Sequence, residues 1–314
     1  MANMRLIHLS CAAAAGILLT SLNLSAQAPA PTPAGGQPEF IRQGQALLRD
    51  GKLEDALALY RGEMAASPGS VAAHNAAGAV LDLMGRGNDA RATFARAIEI
   101  SATPADRASA QRRMAMSYAF ESDCPNSVKY QQQVFDHYVS VSDFFMQGEM
   151  ANEVARVCIE AGDLDAAQKW YQIGHDAGLK DKPERTALWN FRWEHAQGRL
   201  AARRNNLADA QKHIAAAKAL LDSNPEMAKE QAIFYPYLTG YVAFHTGDFR
   251  KALAELEQAN PRDPFIQVLI GQAHEKLGNA SLALEYYRKA STATAHNPPT
   301  AFARPFAMKK LSAK

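Results

Sequence analysis

Small and aromatic residues recur along this chain at a fixed interval. Gly44, Ala56 and Tyr60 are matched 34 residues later by Gly78, Ala90 and Phe94. A repeat of that length predicts a helical array rather than a globule with one central core. Within the unit, Gly44 and Ala56 are separated by the turn-forming stretch Asp50-Gly51-Lys52, which predicts helix, short turn, helix. The small residues fall where two antiparallel helices cross, and Tyr60, one helical turn beyond Ala56, fills the space beside them. Pro68 follows the second helix and stops it.

The same frame extends over most of the sequence. It reads Gly44, Ala56, Tyr60, Pro68; Gly78, Ala90, Phe94, Ala97; Ala155, Ala167, Tyr171; Gly198, Ala210, Ile214, Ala217; Gly240, Ala252, Leu256, Ala259; and Gly271, Ala283, Tyr287, Ala290. Residues 105–141 have the length of a further unit, with Tyr118, Ser127 and Phe135 as candidate anchors and Cys124-Pro125 in place of the usual turn. This pattern resembles the tetratricopeptide repeat. The resemblance implies an all-α, right-handed α-solenoid of about seven helix pairs. First helices would line the concave face, and a C-terminal capping helix would cover the last pair. The family's large aromatic early in the first helix is matched only loosely, by Phe40.

Two segments precede the array. Residues 1–26 combine a cationic start at Arg5, an apolar run from Cys11 to Leu19 and the small-residue exit Ser25-Ala26, the build of a secretory signal peptide. Residues 27–37, rich in Pro and Gly, read as a tether. Residues 38–314 are then one solenoid domain, because a repeat array lengthens without enlarging a single core. Export by the general secretory route predicts a periplasmic or secreted protein. Formal net charge is only +2, from 34 basic and 32 acidic residues, which excludes the concentrated positive charge of a nucleic-acid binder. Past the signal segment, no apolar run reaches membrane length, so no transmembrane segment is expected in the mature chain.

Catalytic motifs are missing. The chain has no His-Glu-x-x-His helix, Cys-x-x-Cys pair, Gly-x-Ser-x-Gly elbow or phosphate loop. Gly85 to Ala90 has dinucleotide-loop spacing, yet joins two helices where that loop needs a strand before it, and reads as a repeat turn. The pairs His274-Glu275 and Glu194-His195 lack a further ligand at helical spacing. No enzyme activity, cofactor or metal is expected.

Binding is the remaining job. The residues just after the small markers of successive first helices place Asn152 and Arg156, His195, Arg199 and Arg203, Tyr237, Tyr241 and His245, and Gln272 on one stripe, basic groups flanking an aromatic strip. Tyr and Arg are the residue types enriched at binding hot spots, which makes this stripe the candidate peptide groove. The competing interpretation is that the tyrosines pack between helices and the arginines form a solvated face. The Lys and Asn with which some members of the family hold a C-terminal carboxylate correspond here to Ile41 and Gln45, so that clamp is absent. Cys124 and Cys158 are an even pair in an exported chain, either bridged or two separate thiols. The function expected is a protein- or peptide-binding adaptor of the cell envelope. The alternative is a regulatory or substrate-presenting subunit of an envelope enzyme, or a weak enzyme with its site in the groove. Neither the partner nor the oligomeric state is specified.

Overall fold

The computed structural model describes residues 36–313. The expected signal segment 1–26 and nearly all of the tether lie outside those residues. From Pro38 the chain forms one compact unit. Its helices are α1 (Glu39–Arg49), α2 (Leu53–Ala66), α3 (Val71–Leu83), α4 (Gly87–Ile100), α5 (Pro104–Ala119), α6 (Cys124–Ser140), α7 (Phe144–Ala161) and α8 (Leu164–Gly178). They continue as α9 (Thr186–Arg203), α10 (Leu207–Ser223), the short α11 (Pro225–Gln231), α12 (Tyr235–His245), α13 (Phe249–Leu256), α14 (Pro264–Lys276), α15 (Ala280–Ser291) and α16 (Pro298–Ser312). Setting α11 and α16 aside leaves seven consecutive antiparallel pairs, and no strand occurs among the described residues. The all-helical repeat array is the architecture expected from the 34-residue pattern.

Several of the pairs are closed by a small residue set against an aromatic ring. A Cβ added to Gly78 would meet the Phe94 ring at 2.5 Å, and one added to Gly271 would meet Tyr287 at 2.6 Å. Only a residue without a side chain lets these helices approach so closely. Ala56, Ala90, Ala167, Ala210 and Ala252 are fully buried at the matching positions of the second helices.

The turn within every pair contains one residue of left-handed backbone: Gly51, Gly85, Ser122, Gly162, Asn205, Gly247 and Gly278. Gly85 therefore belongs to a repeat turn, and Gly87 opens α4. Several of the following helices are capped by an acidic or amide side chain, as where Asp163 accepts from the Ala166 amide at 3.0 Å and Asn206 from Asp209 at 3.1 Å.

The third pair settles the register left open by the sequence. Ser127 is a buried anchor of α6, and the aromatic position one turn later is taken by Gln131, fully enclosed, whose amide donates to the Met150 carbonyl at 3.1 Å. Tyr118 and Phe135 are only half-buried. Cys124 is the first residue of α6 rather than part of the turn, which is formed by Glu121, Ser122 and Asp123.

One feature exceeds an end cap. α16 packs on α14 and α15, with Phe302 edge-on to Phe265 and Phe306 edge-on to Tyr287. It also reaches α5 and α7, the first helices of the third and fourth pairs, where Ala301 packs with Met116, Ala119 and Val157. The last helix thus covers the first-helix face of the middle of the array.

Candidate functional site

The middle of the expected groove stripe is brought together in space: His195, Arg199, Arg203, Tyr237, Tyr241 and His245 touch one another. Its exposure, however, is corrected for four residues: His195, Arg199, Tyr237 and Tyr241 are buried, and Tyr241 is wholly enclosed in the same apolar cluster as Leu256 and Tyr287. Asn152, Arg156, Arg203, His245 and Gln272 are half-buried. The physical reason is curvature: successive first helices crowd together on the inner side, so α12 touches α9 and α14 as well as its own partner, and side chains expected in a groove become filling.

These side chains form a polar network. Arg199, on α9, donates to the Tyr171 hydroxyl at 2.9 Å and lies over the rings of Tyr171, Tyr237 and Tyr241. Arg203 donates to the Tyr241 hydroxyl and to Glu160, both at 3.2 Å, and Tyr241 donates to Glu160 at 2.9 Å. Arg156 contributes charge to the same cluster, favouring the ionised forms of Glu160 and Asp263.

Burial dominates the electrostatics. It holds the Glu160 and Asp263 carboxyls above the usual carboxylate range in spite of the arginines. It pushes the Tyr237 hydroxyl up to about 12 and brings His245 down to about 3, with the Arg203 charge adding to the shift of His245. His195 is kept neutral by burial and by Arg199. The groups mostly satisfy one another, although the Tyr237 hydroxyl and His245 Nε2 are buried without a hydrogen-bond partner.

Beside the network, Asn152, Tyr171, His175, Trp189, Arg192, Trp193 and Ala196 line a shallow depression with no enclosed space even for a water molecule, unlike an ordinary small-molecule site. Among the described residues no three His, Cys, Asp or Glu side chains are grouped to hold a metal. Glu194 is instead taken by His213 at 2.6 Å, and Glu275 by Lys310 and Tyr287.

A second constellation lies on the first-helix face of the second and third pairs, and its other half comes from the far end of the chain. Asp82, near the end of α3, accepts from Ser117 at 2.8 Å through one carboxyl oxygen and from His296 Nε2 at 2.8 Å through the other. Arg113 of α5 reaches the His296 carbonyl at 3.2 Å and its Nδ1 at 3.3 Å. A guanidinium only donates, so Nδ1 accepts, and the ring proton sits on Nε2 toward Asp82.

The imidazole lies between Phe120, stacked at 5.4 Å, and Phe94, tilted at 5.6 Å. The side chains of His296 and Asp82 are 3% and 0% exposed, so the contact is dry. Burial and the nearby Arg113 hold His296 below its ordinary value, against the pull of Asp82. Burial and Arg112 bring Arg113 down to about 10. A few residues on, Arg304 donates to the Leu83 carbonyl at 2.7 Å.

The comparisons agree with this architecture. Residues 41–107 and 237–298 match the Tetratricopeptide repeat family model. These two stretches hold the first two and the last two pairs; the intervening tetratricopeptide-like pairs are the ones with Ser122 and Asn205 in the turn, Gln131 in an aromatic position and Ala155 in place of the first-helix glycine. The fold is similar to that of RapI in its apo form, with 14% identity over 88% of this chain and 98% of that one and a TM-score of 0.50. A tetratricopeptide repeat protein from Parabacteroides merdae matches at 14% identity, 86% and 98% coverage and a TM-score of 0.48. At such identities the likeness is one of fold. No curated protein is similar to the chain at a significant level.

The repeat frame also explains what the sequence did not reveal. Asp82, Arg113 and His296 carry no motif, and His296 precedes the Asn297 cap of α16 outside any repeat position. The available signal was one charged residue, Asp82, in the otherwise apolar run Val80 to Leu83. Cys124 and Cys158 form a disulfide between the start of α6 and the last turns of α7, with Cα atoms 4.9 Å apart.

Proposed function

We propose that this protein is a non-enzymatic scaffold of the cell envelope that holds a protein or peptide partner on the first-helix face of its tetratricopeptide array. One observation carries the reading: that face already holds a residue from a non-helical connection of the chain itself, His296, through a carboxylate, a guanidinium and two aromatic rings. Side-chain clamps of this kind, built on adjacent helices, suit recognition of a segment that lacks regular structure. The export signal expected at residues 1–26 supports placement in the envelope.

A photo-reactive residue tests the reading. Placed at Gln272, half-buried on a first helix, it is expected to cross-link a polypeptide in intact cells, while the same residue at the exposed second-helix position Gln172 captures none. Equal capture at both positions, or none at Gln272, would overturn the assignment. Fractionation that leaves the protein in the cytoplasm would remove the envelope from it.

A further inference from the structure

We propose that Asp82, Arg113, Phe94 and Phe120 form a peptide-binding site for an extended partner segment that presents an imidazole, and that residues 293–297 are its built-in competitor. The proposal rests on the scaffold function above and names the chemistry of its partner.

A carboxylate and a guanidinium buried in a helical array are expensive unless each is partnered. Asp82 divides its two oxygens between Ser117 and His296. Arg113 sends both of its hydrogen bonds to His296, one to the ring and one to the main chain. Half of this site is therefore supplied by a residue 183 positions beyond Arg113 and 214 beyond Asp82.

Packing alone does not call for such a set. Only a few residues away, Ala301 meets Met116, Ala119 and Val157 by apolar contact, which joins the same surfaces with no buried charge. Asp82 and Arg113 read a donor ring nitrogen, an acceptor ring nitrogen and a backbone carbonyl together, while the phenyl rings read a flat aromatic group. A neutral imidazole on an extended backbone meets all four requirements, and a phenyl or an ammonium does not.

The occupant is also placed so that it can leave. Residues 293–297 form the connection between α15 and α16; Ala293 is tied to the end of α15 and Asn297 to the start of α16, while residues 294–296 lie outside any helix. α16 keeps an independent attachment to α14 and α15 through Phe302 and Phe306. Release requires that His296, Arg304, and Ala301 with the flanking face of Phe302 separate from the middle of the array. A partner segment of matching chemistry then takes the vacated contacts, and its binding energy offsets their loss.

The experiment uses the full chain and a fluorescent peptide with the sequence of residues 291–300 as the probe. The native chain is expected to bind it weakly. His296→Ala, whose own competitor is disabled, is expected to bind it at least about tenfold more tightly, since affinity is reduced in proportion to the occupied fraction. Replacing the histidine of the peptide by alanine, or adding Asp82→Asn to the His296→Ala chain, is expected to abolish the gain. The inference is overturned if the folded His296→Ala chain binds no better than native, or if the alanine peptide binds equally well.

Hydrogen exchange on the native chain provides an arm that needs no variant. Excess peptide should increase exchange in residues 293–304 and leave α10 unchanged, and an unaltered 293–304 segment counts against displacement. Failure here with selective cross-linking at Gln272 overturns this site alone. Failure of both overturns the scaffold reading as well.

Discussion

Two buried polar clusters lie on the inner side of this array, and they differ in where their partners come from. Around Arg199 and Glu160, contributions come from α7, α8, α9 and α12, neighbours in the solenoid that would meet in any folded array of these pairs. Around His296, the second and third pairs meet a connection that follows the seventh. The first cluster is internal to the stack and constrains its curvature. The second joins parts of the chain that the repeat packing does not by itself bring together. Burial and charge look alike in both, so composition alone does not separate them; what differs is the sequence distance between partners.

The comparison is broken most severely at Glu160. Its carboxyl accepts from Tyr241 and Arg203 together, so Glu160→Ala leaves a half-buried guanidinium and a buried hydroxyl without their acceptor. The expected loss is about 3–5 kcal/mol, as for other buried pairs with one partner removed. Chemical denaturation of native and variant chains checks it. A loss below about 1 kcal/mol would mean that water reaches the cluster and that it is a groove after all.

The disulfide comes next. It closes a loop of 34 residues between the third and fourth pairs, and both cysteines are buried. Restricting the unfolded chain over that length stabilises the fold by about 2–4 kcal/mol. The double variant Cys124→Ala, Cys158→Ala should lose that amount, and should lower the melting temperature of the His296 clamp along with the rest, since the bridge joins α6, the partner of α5, to α7, and α16 packs on both α5 and α7. Detection of two free thiols in protein recovered from the envelope would remove the bridge from this comparison.

How far these clusters were legible in sequence follows from the same distinction. The helix pairs were readable wherever Gly and an aromatic recur in frame, because those residues are fixed by the close approach of two helices. Gln131 hides the third pair: it replaces an aromatic by a polar side chain whose hydrogen bond to the Met150 carbonyl exists only in the folded array. Repeat spacing assigns the residues from Asn152 to Gln272 to first helices, but curvature, which decides whether that side is open or filled, depends on many small packing angles and has no local signature. Asp82 and His296 were invisible as a pair for a simpler reason. Their contact is long-range, and nothing in the repeat period refers to it.

His296→Ala should cost less than either change above. It removes the ring's hydrogen bond to Asp82, the one it accepts from Arg113 and a ring between Phe94 and Phe120, worth about 1–3 kcal/mol, while the main-chain carbonyl that Arg113 also reaches stays in place. The loss should be confined to the contact between α16 and the middle of the array. Combined with Glu160→Ala, it should give effects that add to within about 0.5 kcal/mol, because the two clusters share no partner. A larger coupling would mean that closure of the array at His296 sets the geometry around Glu160, and that the two regions are one device.

The smallest effect expected is one of pH, and it reads the first cluster through His245. That imidazole is held down to about 3 by burial and by Arg203, whereas in the unfolded chain it titrates near the ordinary value of about 6.5. Below pH 6.5 the unfolded chain therefore binds a proton that the folded chain refuses, and stability falls as pH falls. His195 and His296 are shifted in the same direction and add to the fall. Glu160 and Asp263, raised by burial, bind protons more readily when folded and act in the opposite sense, at pH values above the ordinary carboxylate range. To isolate one group, the native chain is compared with His245→Phe, which keeps an apolar ring at the site and cannot titrate. Between pH 6.5 and 5.5 the native chain should lose about 1 kcal/mol more than the variant. Equal slopes would show that His245 takes up its proton without unfolding, and hence that water enters beside Arg203. The inner face at α12 would then be open to a ligand, and the line drawn here between the filled cluster and the occupied clamp would have to move.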